Sequence, residues 1–265
     1  TGVPDAQELA RQGLIMSVGT WKEKWDLMTL MLILYSAVIV PIRVCFSAPA
    51  EGNVFWLELA MTATFTLDVY FTFNTVYFDH ETGVWVVSRR QIAITYLRKW
   101  FWVDAPACAP VELFDMFAKD SPRGLALLRF LRLFRLLRLL RLLRLDEYME
   151  TLENHFDVNL KLLRLSFIVL RICFVSHILG CFWYYTAVLT NDENTPTWTE
   201  TYDDGRIASP DVGTGVRYLY SVYWAVTTLT TVGYGDLVPT NLNEHYYALV
   251  AMLTSGVVFG TLVAN

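Results

Sequence analysis

Glycine alternates with other residues in one short stretch of the chain, Thr230–Asp236, which reads Thr-Thr-Val-Gly-Tyr-Gly-Asp. Gly233 and Gly235 can take backbone angles with positive φ that other residues avoid. A run that alternates such residues can turn successive carbonyl oxygens to one side. A ring of these oxygens, with one segment from each subunit, can replace the water shell of a cation. The stretch therefore predicts cation coordination by the backbone, and a glycine-rich turn that arose by chance is the alternative.

Arginine recurs at every third position of a second segment, 129–144, with two apolar residues between each pair. A strict three-residue period spirals around an α-helix but lines up along a 3₁₀-helix, which suits charges that pass one fixed partner in turn. One charge that crosses the full membrane field is worth about 2.3 kcal/mol per 100 mV. The pattern predicts a voltage sensor with the gating charges Arg129, Arg132, Arg135, Arg138, Arg141 and Arg144.

Three other interpretations of segment 129–144 fit its pattern less well. A basic amphipathic surface helix mixes spacings of three and four residues. A nucleic-acid-binding arm would be polar overall, whereas this segment is mostly leucine. A leucine zipper repeats every seven residues. We therefore expect no nucleic acid among the partners of this chain.

Arginine side chains inside a membrane need counter-charges, and acidic residues lie within the apolar segments of the chain. Glu58 and Asp68 belong to one such segment and Asp104 to another. A charge in a membrane span is costly and usually faces a partner or a water-filled crevice. These acids are therefore the predicted partners of the arginines.

The composition indicates what kind of elements position these groups. The chain has 265 residues, 54% of them hydrophobic, and a mean hydropathy of +0.36. It is too apolar for an ordinary soluble domain and indicates several membrane spans. Basic residues in the link 79–100 place that link, and with it the N-terminus, on the cytoplasmic side. With the arginine segment as the fourth, the predicted spans are 27–46, 54–78, 100–117, 160–188 and 244–265.

An apolar segment directly before the glycine stretch, 218–230, is too short to cross a membrane. We predict that it re-enters and stops, which is allowed only where protein and pore water surround the backbone. Tyr223 and Trp224 are expected to brace the glycine stretch from behind. The predicted fold is an all-α membrane protein with six transmembrane helices and one re-entrant pore loop. Helices 1–4 form the voltage-sensor bundle, and helices 5 and 6 with the loop form the pore module.

The last two spans contain further candidates. Gly256 and Gly260 are candidate gate hinges, and close helix packing through small residues is the alternative. Phe259 and Val263 are candidates to line the inner cavity. His177 in the fifth span is predicted to hydrogen-bond between helices rather than to sense pH.

The motif Thr-Val-Gly-Tyr-Gly and the arginine segment resemble the filter and the sensor of voltage-gated potassium channels. From about residue 21 to 265 the chain is most similar to the group with a cyclic-nucleotide-binding domain, which includes ether-à-go-go-like and plant inward-rectifier channels. The resemblance implies that Asp236 helps to hold the filter. The filter that it implies, with potassium as the only metal, consists of Thr231, Val232, Gly233, Tyr234 and Gly235.

The resemblance also assigns roles in the sensor and the pore. Phe65, Asp68 and Asp104 match an aromatic-and-acid constriction past which the arginines move. Potassium is the permeant ion, and no other cofactor is expected. A cyclic nucleotide would act only through a C-terminal domain that is absent from this chain.

The expected organisation has four parts. Residues 1–25 form a cytoplasmic lead-in, 26–145 the voltage-sensor domain, 146–159 a short linker and 160–265 the pore domain. The short linker implies, by resemblance, that each sensor packs beside the pore of its own subunit. Because a single filter strand cannot surround an ion, we expect a homotetramer in a lipid bilayer, with the plasma membrane as its location.

Other functions remain as alternatives. A weakly selective, hyperpolarisation-activated type of cation channel also carries Gly-Tyr-Gly, but Thr230–Val232 and Asp236 around that motif favour potassium. A voltage-controlled membrane enzyme predicts a sensor without a filter and a phosphate-binding or nucleophile motif downstream, which this sequence does not show. A sensor that itself conducts protons would leave the second half of the chain unexplained. We therefore predict that the chain is not an enzyme.

Overall fold

A computed structural model of the chain describes residues 6–16, 20–46, 52–79, 82–108, 160–190 and 195–264, together with positions 136 and 139. The chain divides into two compact units. The first consists of Thr1–Val40 and Ala50–Tyr148, and the second of Pro41–Pro49 and Met149–Asn265. All six predicted gating arginines and the predicted linker 146–159 lie outside the described residues.

The first unit contains a short helix, α1 (Ala6–Arg11), a strand, β1 (Ile15–Met16), and two long apolar helices. The long helices are α2 (Thr20–Cys45), whose last residues belong to the second unit, and α3 (Asn53–Phe73). Both are long and apolar enough to cross a membrane, with mean hydropathies of 2.1 and 1.2. They correspond to the first two predicted spans.

A small sheet replaces the end of the second predicted span. That span was predicted to run to residue 78, but α3 ends at Phe73 and is followed by β2 (Thr75–Asp79) and β3 (Val84–Val86). β2 pairs with β3 in antiparallel and with β1 in parallel orientation. β-Branched and aromatic residues fill β2 and favour a strand. The predicted helical end of this span is wrong, and the described part of the chain is mostly helical rather than all-α.

Two short helices complete the described part of the first unit, α4 (Arg89–Lys99) and α5 (Phe101–Ala107). Ile92 of α4 packs with Leu9, Leu14 and Val76 into a small core beside the sheet. The third predicted span, 100–117, begins with α5, and its part beyond residue 108 lies outside the described residues.

The second unit begins its described helices with α6 (Leu160–Leu189), which agrees with the fifth predicted span. Within α6, Ile168–Leu189 is apolar enough to cross a membrane. A helical turn, α7 (Trp198–Thr201), and a 3₁₀-helix (Tyr202–Ala208) follow α6. The segment that contains them, between α6 and the next helix, is called the outer loop below.

Two further helices follow, α8 (Thr214–Leu229) and α9 (Leu242–Ala264). The 16 residues of α8 extend over about 24 Å, less than the roughly 30 Å of a bilayer core. α8 contains most of the predicted re-entrant segment and begins four residues before it. α9 corresponds to the last predicted span.

Helix α8 packs closely against α6. A Cβ atom on Gly180 of α6 would come within 3.0 Å of the backbone of Ser221 and Val222 in α8. Only glycine allows this approach. The core of the unit is largely aromatic and includes Trp183, Trp198 and Trp224, all at most 4% exposed.

Candidate functional site

The glycine stretch has an alternating backbone. Thr231, Gly233 and Gly235 have φ values of 60°, 53° and 74°, and these positive values recur at every second position. Residue type predicts the positive φ values at the two glycines. It does not predict the one at Thr231, because a β-branched residue rarely adopts this conformation.

Hydrogen bonds from the end of α8 hold the beginning of the stretch. The N–H groups of Val232 and Gly233 both donate to the carbonyl of Thr227, at 2.9 and 3.1 Å, and that of Thr231 donates to the carbonyl of Thr228 at 3.1 Å. A left-handed conformation at a non-glycine residue costs about 1–3 kcal/mol and persists only where its surroundings determine it. These bonds supply that constraint on Thr231.

Two of the predicted filter supports meet at the outer end of the stretch. The hydroxyl of Tyr223 donates to Oδ2 of Asp236 at 2.8 Å. The ring of Tyr223 also lies nearly parallel to that of Tyr234, with centroids 6.5 Å apart and an angle of 8°. Both contacts join the middle of α8 to the glycine stretch.

The third predicted support, Trp224, lies in an aromatic stack behind α8. Its ring is 4.0 Å from that of Trp183 at an angle of 8°, and Trp183 is 5.6 Å from Trp198 at 17°. The stack runs from α8 through α6 to α7. It fixes the helix that carries the stretch rather than the stretch itself.

Helix α6 also contacts α8 through His177. Its Nδ1 atom lies 2.9 Å from the hydroxyl oxygen of Tyr218. The predicted hydrogen bond of this histidine between helices is confirmed.

A buried carboxylate that the sequence analysis missed lies at the start of α9. Glu244 is 0% exposed, and its carboxylate accepts hydrogen bonds from Trp198 and Thr240. Its own N–H donates to Oδ1 of Asn241 at 3.0 Å. The signal in the sequence is an asparagine followed three residues later by glutamate, a pattern that commonly begins a helix.

Tyr202 of the outer loop lies near Asp236, at the outer end of the glycine stretch. Burial and the negative charge of Asp236, with smaller effects of Tyr220 and Asp203, raise the pKa of Tyr202. Its hydroxyl therefore stays protonated at neutral pH and adds no negative charge to this surface.

The predicted sensor residues of α3 share one buried face. Glu58, Phe65 and Asp68 are at most 4% exposed, at spacings that place them along one side of the helix. At a rise of about 1.5 Å per residue, Glu58 lies about 10 Å from the level of Phe65, and Asp68 about 4.5 Å from it on the other side. The aromatic ring is thus flanked by an acid in each direction along α3.

Two of the buried acids accept hydrogen bonds from aromatic side chains of the first unit. Nε1 of Trp25 donates to Oδ1 of Asp68 at 3.0 Å. The hydroxyl of Tyr96 donates to Oδ2 of Asp104, which is 1% exposed, at 2.6 Å. These bonds partly compensate the cost of burying the two carboxyl groups.

The candidate hinges and cavity residues lie on α9, which is a continuous helix. A Cβ atom on Gly256 or Gly260 would meet nothing within 4 Å in this chain. Close packing within one chain therefore does not explain these glycines. Phe259 is partly buried, and the side chain of Val263 lies outside the described residues.

No group of three or more His, Cys, Asp and Glu side chains in the described ranges could hold a metal ion.

Comparison with known families shows to which family the chain belongs. The family model described as ion transport protein matches residues 22–265. The chain belongs to the ion transport protein family. As a member of this ion channel family it is an integral, multi-pass membrane protein and not an enzyme.

Curated relatives of the chain include plant potassium channels. The chain is 27% identical to potassium channel SKOR of Arabidopsis thaliana over 273 residues, which cover 100% of this chain and 32% of that protein. It is 31% identical to potassium channel AKT1 of the same species, over 91% of this chain and 27% of the relative. Potassium channel KAT2 of Oryza sativa subsp. japonica is 30% identical, over 91% of this chain and 39% of its own length. The predicted resemblance to potassium channels is confirmed, and the chain spans about a third of the length of these relatives.

Proposed function

We propose that this chain is the membrane domain of a voltage-gated potassium channel in which four copies surround one pore. The observation that carries the proposal is the left-handed backbone at Thr231, Gly233 and Gly235, in a stretch bonded to the end of a short helix. Such a stretch can present carbonyl oxygens along one side. Four copies would supply a ring of oxygens that replaces the water shell of a cation.

The direction of α8 supports cation conduction. Its C-terminal end at Leu229 directly precedes the stretch. The C-terminus of a helix carries a partial negative charge. Four such ends pointing towards one cavity would stabilise a cation before it enters the filter.

An uncovered apolar face of α9 supports assembly into a tetramer in a bilayer. Tyr246, Leu249, Leu253 and Val257 are 59–68% exposed in the single chain. Their spacing of three or four residues places them on one side of the helix. Other copies and lipid would cover this face.

The first unit supports voltage sensing. Glu58, Asp68 and Asp104 are buried acids in apolar helices, and Phe65 lies between the first two on one face of α3. Arginines at every third position of segment 129–144 would pass this face in turn. Several charges in each of four subunits, at about 2.3 kcal/mol per charge and 100 mV, supply tens of kcal/mol for opening.

The remaining assignments follow from this function. The channel would lie in the plasma membrane with its N-terminus in the cytoplasm, and each sensor would pack beside its own pore. Potassium would be its permeant ion, without another cofactor. A cyclic nucleotide would act only through a domain outside this chain.

The proposal is tested by voltage-clamp recording of the full-length protein. We expect a current that switches on steeply with membrane voltage and is carried by potassium. A current with no dependence on voltage would contradict the sensor assignment. A voltage-dependent current that sodium carries equally well would move the protein to the weakly selective cation channels.

A further inference from the structure

The carboxylate of Glu244 connects parts of the second unit that are distant in sequence. Its Oε1 atom accepts the backbone N–H of Trp198 in α7 at 3.1 Å. Its Oε2 atom accepts the N–H and the hydroxyl of Thr240, at 2.8 and 3.0 Å. Three donors converge on this one side chain. An ionised carboxylate, which only accepts hydrogen bonds, satisfies all of them.

Thr240 and Asn241, which precede Glu244, also bond to the outer loop. Nδ2 of Asn241 donates to the carbonyl of Pro196 at 3.2 Å. The hydroxyl of Thr240 lies 3.0 Å from the same carbonyl, so its single proton is shared between Pro196 and Oε2 of Glu244. Pro196 and Trp198 of the outer loop are thereby bonded to residues 240, 241 and 244 at the start of α9. We call these five residues the outer clasp.

The outer clasp lies just beyond the glycine stretch. Thr240 follows Asp236 by four residues, which span at most about 14 Å when fully extended. Pro239 lies within this link and has a fixed φ angle. The position of Thr240 therefore limits where Asp236, and with it the outer end of the stretch, can lie.

The outer clasp also contacts α8, the helix that holds the beginning of the glycine stretch. Trp198 stacks on Trp183 and Trp183 on Trp224 of α8. The hydrogen bonds of Thr227 and Thr228 fix the beginning of the stretch to the end of α8. Both ends of the glycine stretch are thus held by one connected set of contacts, which runs from the outer clasp through the tryptophan stack to α8. Glu244 is the acidic side chain of the outer clasp.

We propose that Glu244 is a positioning residue for conduction, which keeps the outer end of the filter in the geometry that passes ions. This inference rests on the proposed function. Without the carboxylate, Thr240 keeps only its hydroxyl bond to Pro196, and the link 236–240 gains freedom. The open pore then leaves its conducting geometry sooner, while the voltage sensor is unaffected.

Glu244→Gln tests the role of the charge at nearly constant size. The amide nitrogen is a donor, so one of the converging donors loses its acceptor in either orientation of the amide. In voltage-clamp recordings we expect the current to decay about tenfold or more faster during a maintained step, since hydrogen bonds to charged groups are among the stronger ones. The midpoint and steepness of activation should match the wild type.

Glu200→Gln is the matched control. This carboxylate also lies in the outer loop, where it accepts the N–H and hydroxyl of Thr197 at 2.9 and 3.2 Å and caps α7. Its bonds stay within the loop and do not reach α9. We expect the rate of decay to stay at the wild-type value.

Thr240→Val provides a second test that leaves Glu244 in place. It removes the hydroxyl bonds to Glu244 and Pro196 but keeps the backbone N–H. A smaller acceleration of decay is expected. If Glu244→Gln does not reach the cell surface, the decay rate of Thr240→Val alone decides whether the inference holds.

The outcomes separate the inference from the proposed function. A wild-type protein without potassium current contradicts the proposed function itself. A conducting wild type combined with an unchanged decay in Glu244→Gln, or in Thr240→Val where it decides, overturns the inference alone. A smaller current amplitude with unchanged decay shows a role in folding only and also overturns it.

Discussion

Alanine in place of Gly233 should disrupt the filter through the backbone and not through a clash. Gly233 has a φ of 53°, and a Cβ atom there would meet nothing within 4 Å in one chain. Left-handed backbone costs an L-residue about 1–2 kcal/mol. One substituted copy should therefore disfavour the conducting geometry by about 5–30-fold.

The cost should grow with the number of substituted copies. If the copies act independently, four of them give about 4–8 kcal/mol. Potassium-selective current should then be lost. Linked tetramers with one, two and four substituted copies, studied by single-channel recording, would show whether the open probability falls by a similar factor per copy.

A matched control is Gly215→Ala in the first turn of α8. A Cβ atom at Gly215 also meets nothing within 4 Å, and its φ is not positive. Alanine is favoured over glycine in a helix by about 1 kcal/mol, so selective current should persist. Normal selective current from channels with four Gly233→Ala copies would refute the reasoning.

Three further predictions concern other parts of the chain. Arg135→Gln and Arg138→Gln should each reduce the steepness of voltage activation and leave the reversal potential unchanged; unchanged steepness in both contradicts the sensor assignment. Gly180→Ala should separate α6 from α8 and lower the thermal unfolding midpoint of the detergent-solubilised protein, because overpacking typically costs about 1–3 kcal/mol; an unchanged midpoint would refute this close contact. Tyr223→Phe removes the hydroxyl that bonds to Asp236 and should weaken discrimination between potassium and sodium, which a wild-type permeability ratio would disprove.

The helices were predictable where the apolar segment was long and uninterrupted. The fifth predicted span, 160–188, differs from α6 by one residue at its end. The second predicted span, 54–78, differs more from α3, because the apolar residues Thr75–Phe78 that follow the helix form a strand. Hydropathy does not distinguish these two outcomes. The antiparallel partner β3 begins five residues after β2 and is local in the sequence. The parallel partner β1 lies about 60 residues earlier in the chain, so local pattern could not reveal that pairing.

The glycine stretch was predictable because glycine has a specific backbone use. The positive φ values at Gly233 and Gly235 follow from residue type. That at Thr231 depends on hydrogen bonds to the end of α8, which is tertiary information. Tyr223 and Asp236 were each predicted to support the filter, but the hydrogen bond between them was not predicted.

Glu244 shows why the rest of the site could not be read from the sequence. In the sequence it is one acid at the start of an apolar span, and the nearby acids of the outer loop are solvated. One of its hydrogen-bond donors, the backbone N–H of Trp198, lies 46 residues away in the sequence. Only the folded chain brings the donors of Trp198 and Thr240 to one carboxylate.

The reversal potential of the current tests the central claim most directly. External sodium is replaced by potassium in steps while the full-length protein is held under voltage clamp. A filter of backbone carbonyls selective for potassium predicts a shift of about 59 mV for each tenfold change in external potassium. A reversal potential that stays constant as the two ions are exchanged would contradict the claim.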